Sequence, residues 1–412
     1  MTLTRRTGFA TLAAAVAAGL QAVVILVISK AALPATEFAP LAQLWAIWAV
    51  CAASFNYGCQ QWAAVRPAGF GILATSAGRQ LLGALCVIGL LVGAATYLVR
   101  DELFSSRSLW WPFFASLLPL GTAAVGLNRG ELARTGRSMA LAFVIGAENT
   151  LRIAITIVLA VVGAPAWTYG AALVAGFAVA ALPRPSRDYH EDLDLRPLAT
   201  ATGSGMAAHA LLFGSPLILA LGGGDPDEVV ALFLVLSAVR APFVLLQGLI
   251  PHVAVRFGQN EGDLRRTVRF LTATGLIAAI FAYVGGALLG DAVVGRIFSI
   301  QGELSGSTFG LVAATAMLSV ALTIVTVRLV ASEQIRPLVL AWSIPVIATV
   351  CAIPTGLLDN ISTTAWWILG CHLFVSLIVV VVTPDRASAS HDEADSADSV
   401  VDRPHSPPPA LR

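Results

Sequence analysis

Charged side chains are scarce in this sequence, since Asp, Glu, Lys and Arg together form 12% of its 412 residues. That share is about half of the one found in soluble domains, which excludes a water-soluble globule. The apolar residues, 57% of the chain, come in blocks of about twenty, the length that crosses roughly 30 Å of hydrocarbon. The sequence therefore predicts an all-α polytopic membrane protein.

Residues with specialised chemistry are also few. The five cysteines fall within apolar blocks and have no metal-ligand spacing, and the sequence has no nucleotide-binding motif. The longest predicted outer connection, residues 290–308, has only Asp291 and Glu303 as acidic side chains. We therefore expect no metal, no cofactor, no nucleic-acid partner and no enzymatic activity; a membrane enzyme acting on lipid-linked sugars is the weakest alternative.

Twelve apolar blocks are long enough to be membrane spans. Their bounds are 8–29, 38–62, 81–99, 109–127, 139–162, 167–182, 203–221, 229–250, 270–289, 309–327, 338–357 and 363–382. With a cytoplasmic N-terminus, seventeen arginines lie on the inside, and four basic residues, Lys30, Arg100, Arg107 and Arg296, lie outside. This positive-inside bias predicts a protein of the cytoplasmic membrane with both termini in the cytoplasm. Residues 384–412, rich in Ser, Asp and Pro, are predicted to form a disordered cytoplasmic tail.

The two halves of the chain share an internal repeat. Arg66 and Arg256, Arg79 and Arg269, and Asp101 and Asp291 are each 190 positions apart. The segments "RGELARTGR" (129–137) and "RLVASEQIR" (328–336) continue the repeat at a separation of 199. Each repeat has six spans, so both enter from the cytoplasm. We therefore predict two six-helix bundles, residues 1–195 and 196–383, related by a pseudo-twofold axis normal to the membrane.

Three charged residues lie near the middle of predicted spans: Glu148, Arg152 and Arg240. A central arginine costs about 2.5 to 3.5 kcal/mol on insertion scales, so all three are expected to face the protein interior. Glu148 and Arg152, four residues apart, lie on one helix face and can pair, which leaves a purely structural role open. Arg240 has no acid within a turn or two, so a bound phosphate or diphosphate is the alternative counter-ion.

Other polar residues in the spans give weaker indications. Asn56, with Trp45, Trp48 and Tyr57 in the second span, is a candidate for contact with sugar rings; packing is the alternative. His209 is isolated within the seventh span, and a hydrogen-bonded packing role is predicted for it.

Three segments resemble the polysaccharide transporters, including O-antigen flippases, of the multidrug/oligosaccharidyl-lipid/polysaccharide exporter superfamily. They are "RRTGFATLAAAVAAGLQAVVILVISKAALPATEFAPLAQLWAIW", "GLNRGELARTGRSMALAFVIGAENTLRI" and "PDEVVALFLVLSAVRAPFVLLQGLIPHVAVRFGQNEGD". The likeness covers roughly residues 5 to 383 in segment order and texture. The related lipid II flippases have fourteen helices where this chain predicts twelve, which favours the polysaccharide branch.

The resemblance implies a V-shaped pair of bundles that work by alternating access. It implies a polyprenyl-diphosphate-linked oligosaccharide as substrate, with Arg152 and Arg240 accepting the diphosphate. Membrane lipids and, where present, glycan-synthesis enzymes are the implied partners. A drug or cation antiporter of the same superfamily remains an alternative, for which Glu148 is the only central carboxylate.

Overall fold

The computed structural model describes residues 2–65, 75–181, 195–239, 263–298, 304–332 and 336–383, with the single positions 246, 253, 257 and 334. Regular structure in these residues is helical throughout. The α-helices are α1 (Thr2–Ala32), α2 (Ala35–Cys51), α3 (Tyr57–Val65), α4 (Ser76–Leu98), α5 (Arg100–Phe104), α6 (Trp110–Arg134), α7 (Ser138–Val161), α8 (Ala166–Ala175), α9 (Arg196–Phe213), α10 (Ser215–Leu221), α11 (Pro226–Val239), α12 (Leu264–Phe298), α13 (Gly306–Ala331), α14 (Arg336–Ala352) and α15 (Ile361–Val382). A π-helix spans Ala52–Asn56, and 3-10 helices span Gly176–Ala181 and Ile353–Thr355.

Eight helices in the described part of the chain are long and apolar enough to cross a membrane. They are Thr36–Ala64, Ser76–Leu98, Trp110–Arg134, Ser138–Val161, Leu264–Ala292, Gly306–Val330, Arg336–Thr355 and Ile361–Val382. The chain is therefore a multi-pass membrane protein. Orientation and the kind of membrane stay predictions.

The four remaining predicted spans coincide with shorter or interrupted helices. The first and sixth correspond to the apolar segments Val16–Ala32 and Ala166–Val179. The seventh is divided into α9 and α10 at Gly214, with a proline, Pro216, in the first turn of α10, where a proline does not remove a needed N–H. The eighth is described only as far as α11, and Arg240 and the tail 384–412 lie outside the described residues. The count of twelve therefore stays a prediction.

The most buried long helix runs from Thr36 to Ala64 and consists of α2, the π-helix and α3. A π-helix forms i to i+5 hydrogen bonds and so accommodates an extra residue within the turn. Both α6 and α9 pack against this segment. On α6, a Cβ at Gly126 would touch the backbone carbonyl oxygen of Asn56, so the absence of a side chain at Gly126 permits this close approach.

Three other helices carry their apolar side chains on the outside. Of the most apolar 18-residue stretch of each helix, 22% is buried in α4, 28% in α7 and 22% in α12. On these helices, Leu90, Val161 and Leu288 are 71%, 80% and 77% exposed. Large apolar side chains exposed at this density face lipid in a membrane protein. The interior is formed by the helix Thr36–Ala64 and by α13, in which 89% and 78% of the corresponding stretch is buried.

Helices related by the predicted repeat have corresponding neighbours. In the first half α4 packs on α6, and α8 contacts α6 and α7; in the second half α12 packs on α13, and α15 contacts α13 and α14. Helix α9 contacts α13 and also α2 and α3 of the first half, so it joins the two halves. The division at residues 195 and 196, the two bundles and the pseudo-twofold axis remain predictions.

Candidate functional site

One face of α7 is turned into the protein. Its buried residues are Leu141, Val144, Ile145, Glu148, Arg152 and Thr156, and their spacing of three or four places them on one side of an α-helix. Glu148 and Arg152 are 4% and 1% exposed, whereas Phe143 and Val158 on the other faces are 61% and 59% exposed. Both charged side chains therefore face protein rather than lipid.

The carboxylate of Glu148 bridges two guanidinium groups. Its Oε1 lies 2.7 Å from Nη1 of Arg152, and its Oε2 lies 2.7 Å from Nη2 of Arg129 on α6. These are short charge-assisted hydrogen bonds. Arg129 is 7% exposed, so all three side chains are buried. We call Arg129, Glu148 and Arg152 the charge cluster.

Arg152 has further partners on three sides. Its Nε donates to the backbone carbonyl of Leu173 over 3.0 Å, and its Nη1 donates to Oδ1 of Asn149 over 3.0 Å. The Cζ atom lies 5.2 Å from the ring centroid of Trp48 and 5.4 Å from that of Phe177, within the range of a cation–π contact. The guanidinium plane is therefore held by α2, α7 and the end of α8.

The local structure at the end of α8 provides this arrangement. The α-helix ends at Ala175 and continues as a 3-10 helix from Gly176. The Leu173 carbonyl, in the last turn of α8, accepts the hydrogen bond from Arg152. Gly176 has no side chain, and the guanidinium packs directly on its Cα.

The charge cluster carries one net positive charge, because it has two guanidinium groups and one carboxylate. Among the residues that the structure describes, Nη2 of Arg152 and Nε of Arg129 are buried and have no hydrogen-bond partner. An unpaired buried donor is costly, more so on a charged group. Within the described part of the chain, the cluster thus lacks one negative charge and two hydrogen-bond acceptors.

Arg129 is the cluster residue that the sequence analysis did not identify. The fourth predicted span ends at residue 127, but α6 continues to Arg134. The partner of Glu148 on another helix is therefore Arg129. The available signal was Gly136, which has a φ of +68° and closes the helix with bonds from Gly136 N to Ala133 O and from Arg137 N to Leu132 O, the arrangement of a Schellman cap.

Asn56 lies at the end of the π-helix, with its side chain 5% exposed. Its Oδ1 accepts no hydrogen bond from any described residue. Helix α6 connects it with the charge cluster, because Gly126 packs on Asn56 and Arg129, one turn later, binds Glu148. A role for Asn56 in contact with substrate stays a prediction.

The second half of the chain does not reproduce the charge cluster. Arg328, 199 positions after Arg129, is buried on α13, and its Nη1 donates to the carbonyl of Phe257 over 2.7 Å. The counterpart of Glu148 is Ile347, which is 62% exposed. The two halves therefore differ at the position where the first half has its carboxylate.

The resemblance implies that Arg152 and Arg240 accept a diphosphate together. In this conformation the rings of Trp48 and Phe177, the Leu173 carbonyl and Glu148 enclose the guanidinium of Arg152. Arg240 lies outside the described residues, so the shared role of the two arginines stays a prediction.

No protein-family model and no curated protein matches this sequence. Three solved structures align with most of the chain, each at 13% sequence identity. The crystal structure of MATE in the straight conformation covers 96% of both chains with a TM-score of 0.49. MATE in complex with Br-NRF covers 94% of this chain and 95% of that one, with a TM-score of 0.46. A variant of the Vibrio cholerae MATE transporter VcmN covers 89% and 96%, with a TM-score of 0.47.

Proposed function

We propose that this protein is a flippase that moves a polyprenyl-diphosphate-linked oligosaccharide across the cytoplasmic membrane by alternating access. The observation that carries the proposal is the charge cluster, which holds one net positive charge inside a multi-pass membrane protein. The cytoplasmic membrane, the lipid-linked glycan and any association with glycan-synthesis enzymes belong to the proposal.

The depth of the cluster favours a site over an insertion aid. Glu148 is ten residues into α7, which starts at Ser138, and this corresponds to about 15 Å of helix, or half of the hydrocarbon thickness. A pair that only assists insertion needs one acid and one base. The second arginine, Arg129, adds an uncompensated charge at a place where charge is expensive, which is expected where an anion binds.

The chemistry of the donors favours a phosphate ligand. Guanidinium groups offer planar forks that match the oxygens of phosphate. In this conformation the Glu148 carboxylate spans the two forks with 2.7 Å contacts on each side, as a phosphate group can. Nη2 of Arg152 and Nε of Arg129 remain as donors for further oxygens of a diphosphate.

The proposed cycle uses separation of the two halves. The lipid-linked sugar enters sideways from the inner leaflet, its diphosphate binds the arginines, and the glycan contacts polar and aromatic residues such as Asn56 and Trp48. The halves then rock to open on the other side, while the polyprenyl tail stays in lipid. The packed conformation described here is the state without substrate, in which Glu148 serves as the internal counter-ion.

A drug or cation antiporter is the second candidate, and the buried carboxylate of Glu148 is the observation in its favour. In an antiport cycle the Glu148 carboxylate would bind the arginines in one state and the transported cation in the other. Both of its oxygens are bonded to arginines at 2.7 Å, and a cation would have to displace two like charges. This arrangement favours an anionic cargo.

The test is a flipping assay in proteoliposomes with a fluorescent polyprenyl-diphosphate glycan. Removing Glu148 alone would leave two buried like charges, so we compare variants in which Glu148 is removed together with one or both of its arginine partners. The double variant Glu148→Gln/Arg129→Gln keeps one positive charge at Arg152 and is expected to flip the lipid. The triple variant, with Arg152→Gln added, has no charge left and is expected to lose at least tenfold in rate.

The controls separate folding from transport. Thermal unfolding and monodispersity in detergent show whether the triple variant is folded, and Arg137→Gln, at the exposed start of α7, controls for loss of an arginine. A folded triple variant with the wild-type flipping rate would refute the role of the cluster. The antiporter would be established instead if adding a lipophilic cation to the same vesicles caused proton movement and the lipid-linked glycan was not flipped.

A further inference from the structure

An apolar cavity of about 300 Å³ lies between the π-helix with α3, helix α4 and the start of α9, and no residue of the charge cluster lines it. Its lining is almost entirely apolar, and Gln80 and Thr202 are its two side chains with oxygen or nitrogen atoms. The walls come from both halves of the chain, because α3 and α4 precede residue 195 and α9 follows it. Apolar cavities of this kind hold hydrocarbon rather than water.

The cavity is as deep as one leaflet of a bilayer. On α4 its lining runs from Gln80 to Ile88, and on α9 from Leu198 to Met206, which is eight residues and about 12 Å on each helix. Half of the hydrocarbon thickness is about 15 Å. Over the lining's length of about 12 Å, 300 Å³ corresponds to a cross-section of about 25 Å², which admits a hydrocarbon chain.

Two arginines flank one end of the cavity. Arg79 and Arg196 are exposed and directly precede or follow the lining residues Gln80 and Leu195. Both α4 and α9 start at this end, and helix starts favour anions. On α4, Gln80 and Ala84 are exposed, so the cavity reaches the lipid side of that helix. Cationic side chains at a membrane interface attract anionic headgroups.

We propose that this cavity binds one acyl chain of an anionic phospholipid, whose headgroup phosphate is held by Arg79 and Arg196. A phospholipid fits because its headgroup stays at the leaflet surface while its chain extends to half depth. Under the proposed function a polyprenyl-diphosphate would place its phosphates at the charge cluster, none of whose residues lines this cavity, and so is not the expected occupant.

The position of the cavity makes the lipid a link between the halves. Next to it, a Cβ on Gly58 of α3 would touch Thr202 of α9, so α3 and α9 pack closely at this position. A chain lying between α4 and α9 is held only while these helices keep this spacing. Bound lipid therefore stabilises the conformation described here.

The experiment uses the full-length protein in nanodiscs with a phosphatidylglycerol carrying a diazirine in the middle of one acyl chain. Gly203 lines the cavity, and a Cβ there would meet nothing within 4 Å, so Gly203→Leu fills the cavity without a clash. Gly83 has the same open surroundings on α4 but does not line the cavity, and Gly83→Leu is the matched control. Photo-adducts are expected on Leu85, Ile88 or Met206, at least fivefold fewer in Gly203→Leu and unchanged in Gly83→Leu.

Headgroup recognition is tested by comparing this probe with a phosphatidylcholine of the same chain. The preference for phosphatidylglycerol should be lost in the double variant Arg79→Gln/Arg196→Gln and kept in Arg137→Gln, an exposed arginine away from the cavity. Adducts that are equally abundant in Gly203→Leu, or that are absent from the lining residues, would overturn the proposal. So would displacement of the probe by equimolar polyprenyl phosphate, which would identify an isoprenoid chain as the occupant.

Discussion

Gly176 and Arg152 are in direct contact: a Cβ atom on Gly176 would overlap Nε of the arginine. Gly176 has φ −56° and ψ −28°, a conformation open to every amino acid. The requirement for glycine is therefore one of space. The guanidinium reaches the Leu173 carbonyl only because residue 176 has no side chain.

Gly176→Ala should consequently displace Arg152. Overpacking a buried position costs about 1 to 3 kcal/mol, and we expect a lower thermal midpoint in detergent together with reduced flipping of the lipid-linked glycan. Gly146→Ala is the control, since a Cβ there meets nothing within 4 Å on α7 and alanine favours helix. Equal midpoints for the two variants would mean that the guanidinium can move aside at no cost.

Loss of the carboxylate should destabilise the protein more than loss of the whole ion pair. Glu148→Gln leaves Arg129 and Arg152 as two buried like charges, and breaking a buried pair in this way costs about 3 to 5 kcal/mol. Adding Arg129→Gln removes one of those charges and should recover most of the loss in thermal midpoint, since the residues are coupled. If the effects of the two substitutions on the thermal midpoint are additive, the 2.7 Å contact between Glu148 and Arg129 contributes nothing to stability.

Helical spacing was enough to predict which way the charges of α7 point. Glu148 and Arg152, four residues apart, share a face with the buried apolar residues of that helix, and a charge on the lipid side would be too costly. The partners were not predictable in the same way. Trp48, Leu173 and Phe177 come from segments that approach α7 only in the folded chain, and no local pattern marks them.

Arg129 was not identified, for a different reason. Hydropathy ends a span where polar residues begin, at Asn128, but a helix ends where its backbone is capped. The end of α6 is set by Gly136, whose positive φ satisfies the last carbonyls. Attention to that glycine would have placed Arg129 within the helix and, with it, the second cation of the cluster.

The cap at Gly136 can be tested directly. Its φ is +68° and a Cβ would meet no other atom within 4 Å, so Gly136→Ala introduces backbone strain without a steric clash. Left-handed backbone costs about 1 to 2 kcal/mol for a residue with a Cβ, and the thermal midpoint should fall. Gly285→Ala, which has equally open surroundings but a helical backbone on α12, should leave the midpoint unchanged or raise it. Identical behaviour of the two variants would contradict the capping role.

His209 joins helices from both halves, as its predicted hydrogen-bonded packing role requires. It is 1% exposed, its ring centroid lies 5.7 Å from that of Tyr57 on α3, and its Nε2 lies 3.3 Å from the hydroxyl of Thr323 on α13. Nδ1 lies 2.7 Å from the Gly205 carbonyl, and since a carbonyl only accepts, Nδ1 is the protonated nitrogen there. Thr323, whose hydroxyl also donates to the Ser319 carbonyl over 2.8 Å, is a hydrogen-bond partner of Nε2.

Thr323→Val keeps the shape of the side chain and removes that partner. Loss of a buried hydrogen bond costs about 0.5 to 1.5 kcal/mol, so the thermal midpoint should fall, and the contact of α9 with α13 should loosen. Thr274→Val is the matched control, because the Thr274 hydroxyl is exposed and bonds only to the Phe270 carbonyl of its own helix. Hydrogen exchange of α9 should rise in Thr323→Val and remain at the wild-type level in Thr274→Val. If α9 is equally protected in both, the histidine is held by its ring contacts alone, and α9 is anchored by packing rather than by this hydrogen bond.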